Sequence, residues 1–466
     1  MHPLSLMASE ASWQANAEKQ KSKETINIDS ELQMEKILES GSDKLYLLKL
    51  PNGLKACIDE RPSRKTVYCE IAARIGSVNE PESLYGISHV LEHLLFKERE
   101  NNPTATRVQK SGGYLNASTT FDSTSYYFDV GIGEFEDSWK GLSDMVLHPV
   151  FSEEDLERER HVVLEEMAMM KSDPMGLASY AILRRMFPDH PLENPIIGFK
   201  KTLKKIKRDD VLSYYQKHYV PENMFVIIVG GVDVQRSAQL ITESFGQLKP
   251  SGAPAAAMPP LPELDIEKSV TIRTLISQSY LIFAAKTEGV KSKDFIATDV
   301  LISVLGEGRS SRLYRVLKEE KGITANISVM KQAIADIAGF VFIVGVSRDR
   351  EEEARSIVKE EIRKIMTEDI SEEELQIAKS QIISDFIFGF ETNGGISSFR
   401  EKGLLYGQSL SKDDYIRSIE SISKDDIRQV AAKYLNDTRL FEVRIKPARG
   451  FGKVMAILRY LVFKRI

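Results

Sequence analysis

Cysteine is almost absent from this 466-residue chain. Two residues, Cys57 and Cys69, cannot build a disulfide framework or a thiolate zinc cluster. They leave at most one optional Cys57–Cys69 bridge and fit a reduced compartment. Long apolar runs are lacking too: nothing approaches the roughly 20 residues of a spanning helix. A basic surplus is missing, with 63 Lys and Arg against 68 Asp and Glu and a net charge of −5. Nucleic acid is therefore not expected as a partner. The N-terminal "LSLM" is too short for the apolar core of a secretory signal. The first 40 residues contain no arginine and carry Glu10, Glu18 and Glu24, unlike a mitochondrial presequence. A cytoplasmic protein is expected.

What is present is an ordinary globular balance, 42% hydrophobic and 28% charged, long enough for two to four domains at about 100–200 residues each. Residues 1–41 read as a flexible lead-in. The Pro- and Ala-rich stretch 246–265 reads as a linker, because its prolines forbid helix. It separates a domain at 42–245 from one at 266–447. The two share a pattern. "KRDDVLSYYQKHYVPENMFVIIVG" and "SKDDIRQVAAKYLNDTRLFEVRIK" align without a gap at an offset of 425 − 209 = 216. "FSEEDLERE" (151–159) echoes "ISEEELQIA" (370–378), both capping-box helix starts, with Asp155 making the first imperfect. Strand-like runs alternate with long helical ones. The expectation is an α+β chain of two homologous domains, each a mostly antiparallel sheet flanked by helices. The last segment, 448–466, is basic and amphipathic. It suits a docking helix, with weak membrane-surface contact as the alternative.

The sharpest local signal is "YGISHVLEHLLF", residues 85–96, which holds His89, Glu92 and His93 as H-x-x-E-H. Positions i, i+3 and i+4 share one helix face, so two imidazoles can grip one ion from one side with a carboxylate beside them. The apolar residues around them predict a largely buried helix, so these polar groups need partners. A catalytic zinc needs a third protein ligand. The helix at 152–170 offers one. Glu159 and Glu166 stand two turns apart on a stripe read as shared with Val162, Val163 and Met170. Glu165 competes, and geometry alone prefers Glu166 only modestly.

With "GGYLNASTTFDSTSYYFDV" (112–130) and "ERERHVVLEEM" added, the chain resembles the pitrilysin-type zinc peptidases in their half-length form, over about residues 42–447. That form includes mitochondrial processing peptidase subunits and bacterial relatives. The resemblance implies two homologous α+β domains, with paired halves enclosing a chamber. It implies that His89, His93 and Glu166 bind Zn2+, that Glu92 is the general base, and that Glu159 supports the site from behind. It further implies that Asn116, Ala117 and Ser118 form an edge that pairs with the backbone of an extended peptide.

Two features depart from the family. "GEGRSSRLY" (306–314) lacks the Lys-Ser/Thr ending of a phosphate loop, and in this family it opens a helix. Beyond it, many members carry an arginine and, seven residues on, a tyrosine; here stand Lys318 and Ala325. Lysine loses the planar fork, and alanine donates nothing. The second half has no H-x-x-E-H, and Asp385 near the repeat position of Glu166 is a single carboxylate. Glu98 also replaces a glycine usual after "FK". The expectation is a zinc metalloendopeptidase, the metal-bearing subunit of a heterodimer with a second half-length homologue, or a homodimer. The rival reading is a non-catalytic scaffold or peptide-holding subunit.

Overall fold

The computed structural model describes residues 24–27, 33–98, 102–252, 269–334, 337–436 and 439–448. The first 23 residues, most of the linker (253–265) and the basic tail from 449 lie outside them. Among the described residues no helix is long and apolar enough to cross a membrane. The chain divides into two compact units.

The first unit is built on an eight-stranded sheet. Its strands are β1 (Glu24–Asn27), β2 (Gln33–Ser40), β3 (Asp43–Lys49), β4 (Lys55–Glu60), β5 (Thr66–Ala73), β6 (Tyr114–Thr119), β7 (Thr124–Gly131) and β8 (Met224–Gly230), in the order β1-β2-β3-β4-β8-β5-β7-β6. Only the β4–β8 pair among these is parallel. β8 is "MFVIIVG", buried at every position as a central strand must be. The second unit has a five-stranded sheet of β9 (Ser269–Thr274), β10 (Ser279–Glu288), β11 (Thr324–Ile334), β12 (Ile337–Val346) and β13 (Leu440–Pro447), ordered β11-β12-β10-β13-β9.

The duplication is visible in these orders. Each unit repeats one plan: a parallel pair (β4–β8, β9–β13) followed by an antiparallel run (β8-β5-β7-β6, β13-β10-β12-β11). In both, a helix sits between the second and third repeat strands. In the first unit it is α1 (Ile87–Phe96). Further helices of the repeat are α2 (Phe135–Leu147), α3 (Glu153–Ser172) and α4 (Arg208–His218). Their counterparts are α5 (Asp294–Gly306), α6 (Glu351–Thr367), α7 (Glu372–Gly389) and, after α8 (Asn393–Tyr406), α9 (Lys424–Tyr434). The second core gathers Leu301, Leu305, Phe340, Phe342, Val358 and Tyr434.

Three differences from the sequence expectations have physical causes. Residues 33–40 are not part of a flexible lead-in. They form β2, an antiparallel partner of β3, around a turn in which Gly41 takes φ +63°, with Met34 fully buried. Cys57 and Cys69 are free and buried. β8 lies between their strands, and they pair with Ile227 and Ile228 respectively, neighbours that point to opposite sheet faces. No bridge can join them, and burial pushes both thiols up, Cys57 to about 12. Finally, the units exchange chain relative to the two halves: residues 388–411 belong to the first unit and 165–193 to the second. That boundary falls inside the unbroken helix α3.

The segment 388–411 is held to the first sheet by buried polar contacts. Arg400 donates to Asp59 Oδ2 at 2.8 and 2.9 Å, both side chains nearly inaccessible, and Ser397 donates to Glu70 at 2.7 Å. Asn393 donates to Thr66, and Arg74 to the carbonyl of Leu404 at 2.6 Å. Arg61 Nε also donates to Asp59 Oδ1 at 2.9 Å, so loss of Arg400 leaves Asp59 one cationic partner. Arg400→Met should therefore lower stability in urea unfolding by about 1–3 kcal/mol, the cost of the lost charged hydrogen bonds. A variant as stable as the parent chain would contradict the clamp.

Candidate metal centre

The helix carrying the histidines is fixed at its N-terminus first. Gly86 precedes α1 at φ +97°, and a Cβ there would lie 2.7 Å from the carbonyl of Ile197. Gly198 faces it at φ +76°, where a Cβ would meet the Tyr85 carbonyl at 2.3 Å. The orphan amides of the first turn find a buried carboxylate: Glu80 accepts from Gly86 N at 2.7 Å and Ser88 N at 2.8 Å. Burial pushes Glu80 up to about 8, against the pull of those two hydrogen bonds. The Ser88 hydroxyl lies 2.9 Å from that of Tyr214 on α4. Ile87, Val90, Leu91, Leu94 and Leu95 bury the opposite face.

His89, Glu92 and His93 stay half-buried on the remaining stripe. The imidazoles meet edge to face, centroids 4.7 Å apart at 73°. Burial, and secondarily His93, bring His89 down to about 4. The ring is held neutral, the form that binds a metal.

α3 crosses this stripe. Ser152 starts it, its hydroxyl accepting from Asp155 N at 3.0 Å and donating to Asp155 Oδ2 at 2.7 Å. Asp155 also pairs with Lys97, just past α1. Arg160 is buried and donates to the carbonyls of Leu203 and, at 2.7 Å, Ile206. The buried stripe runs Leu156, Arg160, Val163, Met167. Val162 and Met170 are not buried, at 42% and 49% exposure; Met170 keeps the angle of Val163 but lies where residues 168–170 are all exposed. Each residue turns about 100° around the axis, so Val162 leaves the stripe that holds Val163. Glu159 and Glu166 flank the stripe, half-buried, whereas Glu165 is exposed.

The result is convergence. His89, His93 and Glu166 each present a ligand atom, all within 4.8 Å of one another, and among the described residues no second such group is found. Glu166 stands just past the unit boundary, but on the same unbroken helix as Glu159, which fixes its place. Glu159 Oε2 lies 3.3 Å from His93 Nδ1. A carboxylate there holds the ring and leaves Nε2 as the nitrogen for the metal. Two imidazoles and one carboxylate are the donor set of a three-ligand catalytic zinc site, so the residues fit that ion. Glu92 Oε2 accepts from the Thr119 hydroxyl at 2.5 Å.

β6 is the edge strand of the sheet. Asn116 donates to Tyr114 Oη at 2.6 Å, and its Oδ1 accepts from Ala117 N at 2.9 Å. Ser118 is exposed opposite Ser125. Glu98 acquires a role: its carboxylate accepts from Thr106 N and Oγ1, both at 2.8 Å, fastening the short helix at 104–110. In the second unit Arg312 pairs with Glu374 through two bonds of 2.7 and 2.9 Å, beyond a turn in which Gly308 takes φ +75°. Asp385 is exposed and accepts from Gln381. Thr119 and Glu80 are functional neighbours that sequence reasoning did not single out. Their partners lie across turns, and only Thr119 sits in a segment already marked.

The chain is similar to known proteins over most of its length. The family model described as Insulinase (Peptidase family M16) matches residues 55–200, and that described as Peptidase M16 inactive domain matches 205–382. A protein of Mycobacterium leprae named an uncharacterized zinc protease is 28% identical, over 83% of this chain and 88% of its own length. The zinc protease PqqE of Helicobacter pylori is 26% identical, over 85% of this chain and 92% of its own. The crystal structure of a protease from Helicobacter pylori superposes with a TM-score of 0.80 at 26% identity, covering 87% of this chain and 100% of that one. A putative M16-like peptidase from Alicyclobacillus acidocaldarius shares the fold at the same TM-score and 22% identity.

The buried acids predict a pH dependence. Burial raises Glu80 to about 8, Glu401 to about 8 and Glu70 to about 7, so the folded chain holds protons that the unfolded chain releases. Their stabilisation is present below the ordinary carboxylate pKa and is lost as pH rises through the folded values. His89 and His218, lowered to about 4, act in the opposite sense, but that effect is complete near pH 6.5. In the metal-free chain the melting temperature should fall between about pH 6.5 and 8.5, less steeply in Glu80→Gln. An upward trend in the parent chain, or an unchanged slope in the variant, would contradict this.

Proposed function

The chain belongs to the M16, or pitrilysin-type, peptidase family, and from that premise we propose that it is a zinc-dependent metalloendopeptidase acting on extended peptides. The observation that carries the reading is the convergence of His89, His93 and Glu166, with Glu92 on the same helix face. The names of the relatives, zinc proteases, support it.

His89, His93 and Glu166 would hold the ion. When bound, zinc polarises the scissile carbonyl and lowers the pKa of water. Glu92 takes the proton of the attacking water at its carboxylate and delivers it to the leaving amine. Glu159 keeps the His93 ring oriented from Nδ1. The edge strand β6 supplies main-chain partners at Asn116, Ala117 and Ser118. Such pairing reads backbone more than side chain, so substrates are unfolded peptides of varied sequence.

The same reading makes this chain the metal-bearing half of a heterodimer. Its support is the departure at Lys318 and Ala325, where the family's substrate- and oxyanion-holding pair is lost. Lys318 instead lies 4.9 Å over the ring of Tyr314. One missing oxyanion donor costs roughly a hundredfold or more in rate. A second half-length chain carrying that arginine and tyrosine would restore it. Peptidase activity should rise at least about a hundredfold when such a homologue is added to the purified chain. Full activity of the chain alone would count against the pairing.

Two substitutions test the chemistry. Glu92→Gln should keep full zinc content while cleavage falls by at least about 10²–10⁴-fold. His89→Ala should lose the metal by elemental analysis. Undiminished cleavage in the first, or undiminished zinc in the second, would overturn the assignments.

A further inference from the structure

Thr119 is the last residue of the edge strand, paired with Thr124 of β7. Its hydroxyl donates to Glu92 Oε2 at 2.5 Å, a charge-assisted contact from a strand to the catalytic helix. The strand end that carries it is clamped. Thr120 N donates to the Ser123 carbonyl at 2.8 Å, and the Thr120 hydroxyl accepts from Ser123 N at 3.0 Å. The turn rests on Gly76, where a Cβ would lie 2.5 Å from backbone atoms of Thr120 and Phe121. Ser77 N and Val78 N donate to the carbonyls of Thr120 and Phe121. Thr124 is fully buried and donates to the Ile75 carbonyl at 2.8 Å, and Asp122 accepts from Tyr406 at 2.7 Å.

Threonine is stiff at χ1, so the backbone of β6 dictates where its hydroxyl points. We propose that Thr119 is a positioning residue. It locks the Glu92 carboxylate to the strand on which the peptide is registered, so that the base and the scissile bond share one reference frame. The inference rests on the peptidase reading and deepens it. Among the described residues β6 has a strand neighbour on one side only, and a peptide added on the other is aligned by the main chain of the same strand whose final side chain grips Glu92. Misplacement of a catalytic group by about 1 Å costs on the order of a hundredfold in rate without changing binding.

The test compares Thr119→Val, which keeps shape and removes the hydroxyl, with Thr119→Ser, which keeps the hydroxyl. Zinc content is read by elemental analysis, affinity by the anisotropy of a fluorophore-labelled unstructured peptide, and turnover with the same peptide in the presence of the partner homologue. In Thr119→Val, zinc and peptide affinity should stay within about twofold of the parent chain while kcat falls about 10- to 100-fold. Thr119→Ser should recover most of that loss. Unchanged kcat in Thr119→Val, or a loss accompanied by lost zinc or weakened peptide binding, would overturn the proposal. Crystal structures of the parent chain and Thr119→Val give a readout independent of turnover. The Glu92 carboxylate should leave its position in the variant, and an unmoved carboxylate would overturn the positioning role. A parent chain that cleaves nothing with any partner would instead defeat the peptidase reading, and the crystallographic comparison would still decide the role of Thr119.

Discussion

The site depends on the register of two helices. α1 offers its polar groups on one stripe, and α3 must cross it with a carboxylate at the right turn. Neither helix is placed by the metal ligands themselves. α1 is anchored at its N-terminus by Glu80, Ser88 and the facing glycines 86 and 198, and α3 by Arg160 and the buried Leu156, Val163 and Met167. The ion pair of Lys97 with Asp155 joins the end of one helix to the start of the other. With both helices fixed, a carboxylate two turns after Glu159 meets two imidazoles one turn apart. The framework bears the cost of holding these groups together before any ion arrives, which is what preorganisation of a metal site requires.

Duplication supplied the scaffold twice, and the candidate ligand set resides in one copy. α1 and α5 occupy equivalent places between equivalent strands. α5 is buried nearly all round, with Val300, Leu301, Ile302, Val304 and Leu305 inaccessible, so it has no polar stripe to give to a ligand set. α1 retains a half-exposed face because its burial is confined to one side. The same plan thus yields a packed helix in one unit and a chemically equipped one in the other. The second half also lends chain to the first unit: α8 is tied to the first sheet by Arg400, Ser397 and Asn393.

Much of this was legible in the sequence where the determining physics is local. The spacing of His89, Glu92 and His93 needs only helical periodicity, and the ungapped offset between the repeats reappears in the paired helices and strands. Glu166 could be preferred over Glu165 because residues seven apart return to one stripe. Val162 does not belong to that stripe, since neighbours on a helix diverge by about 100°, whereas Met170 shares its angle and is exposed because residues 168–170 all are. β2 carries little sequence signal because its hairpin turn, Ser40–Gly41–Ser42–Asp43, sits in a polar stretch with weak alternation. Contacts such as Asp59 with Arg400, Glu70 with Ser397 and Glu92 with Thr119 are set by tertiary packing, and local pattern carries no sign of them. The exclusion of a Cys57–Cys69 bridge likewise needed the strand order.

The most direct measurement is anomalous diffraction at the zinc absorption edge from crystals of the purified chain. The account predicts one peak about 2.0–2.2 Å from a nitrogen of each of His89 and His93 and from an oxygen of Glu166, with Glu159 on the far side of His93. A peak ligated by Glu165 in place of Glu166, or an ion bound away from the two histidines, would contradict it.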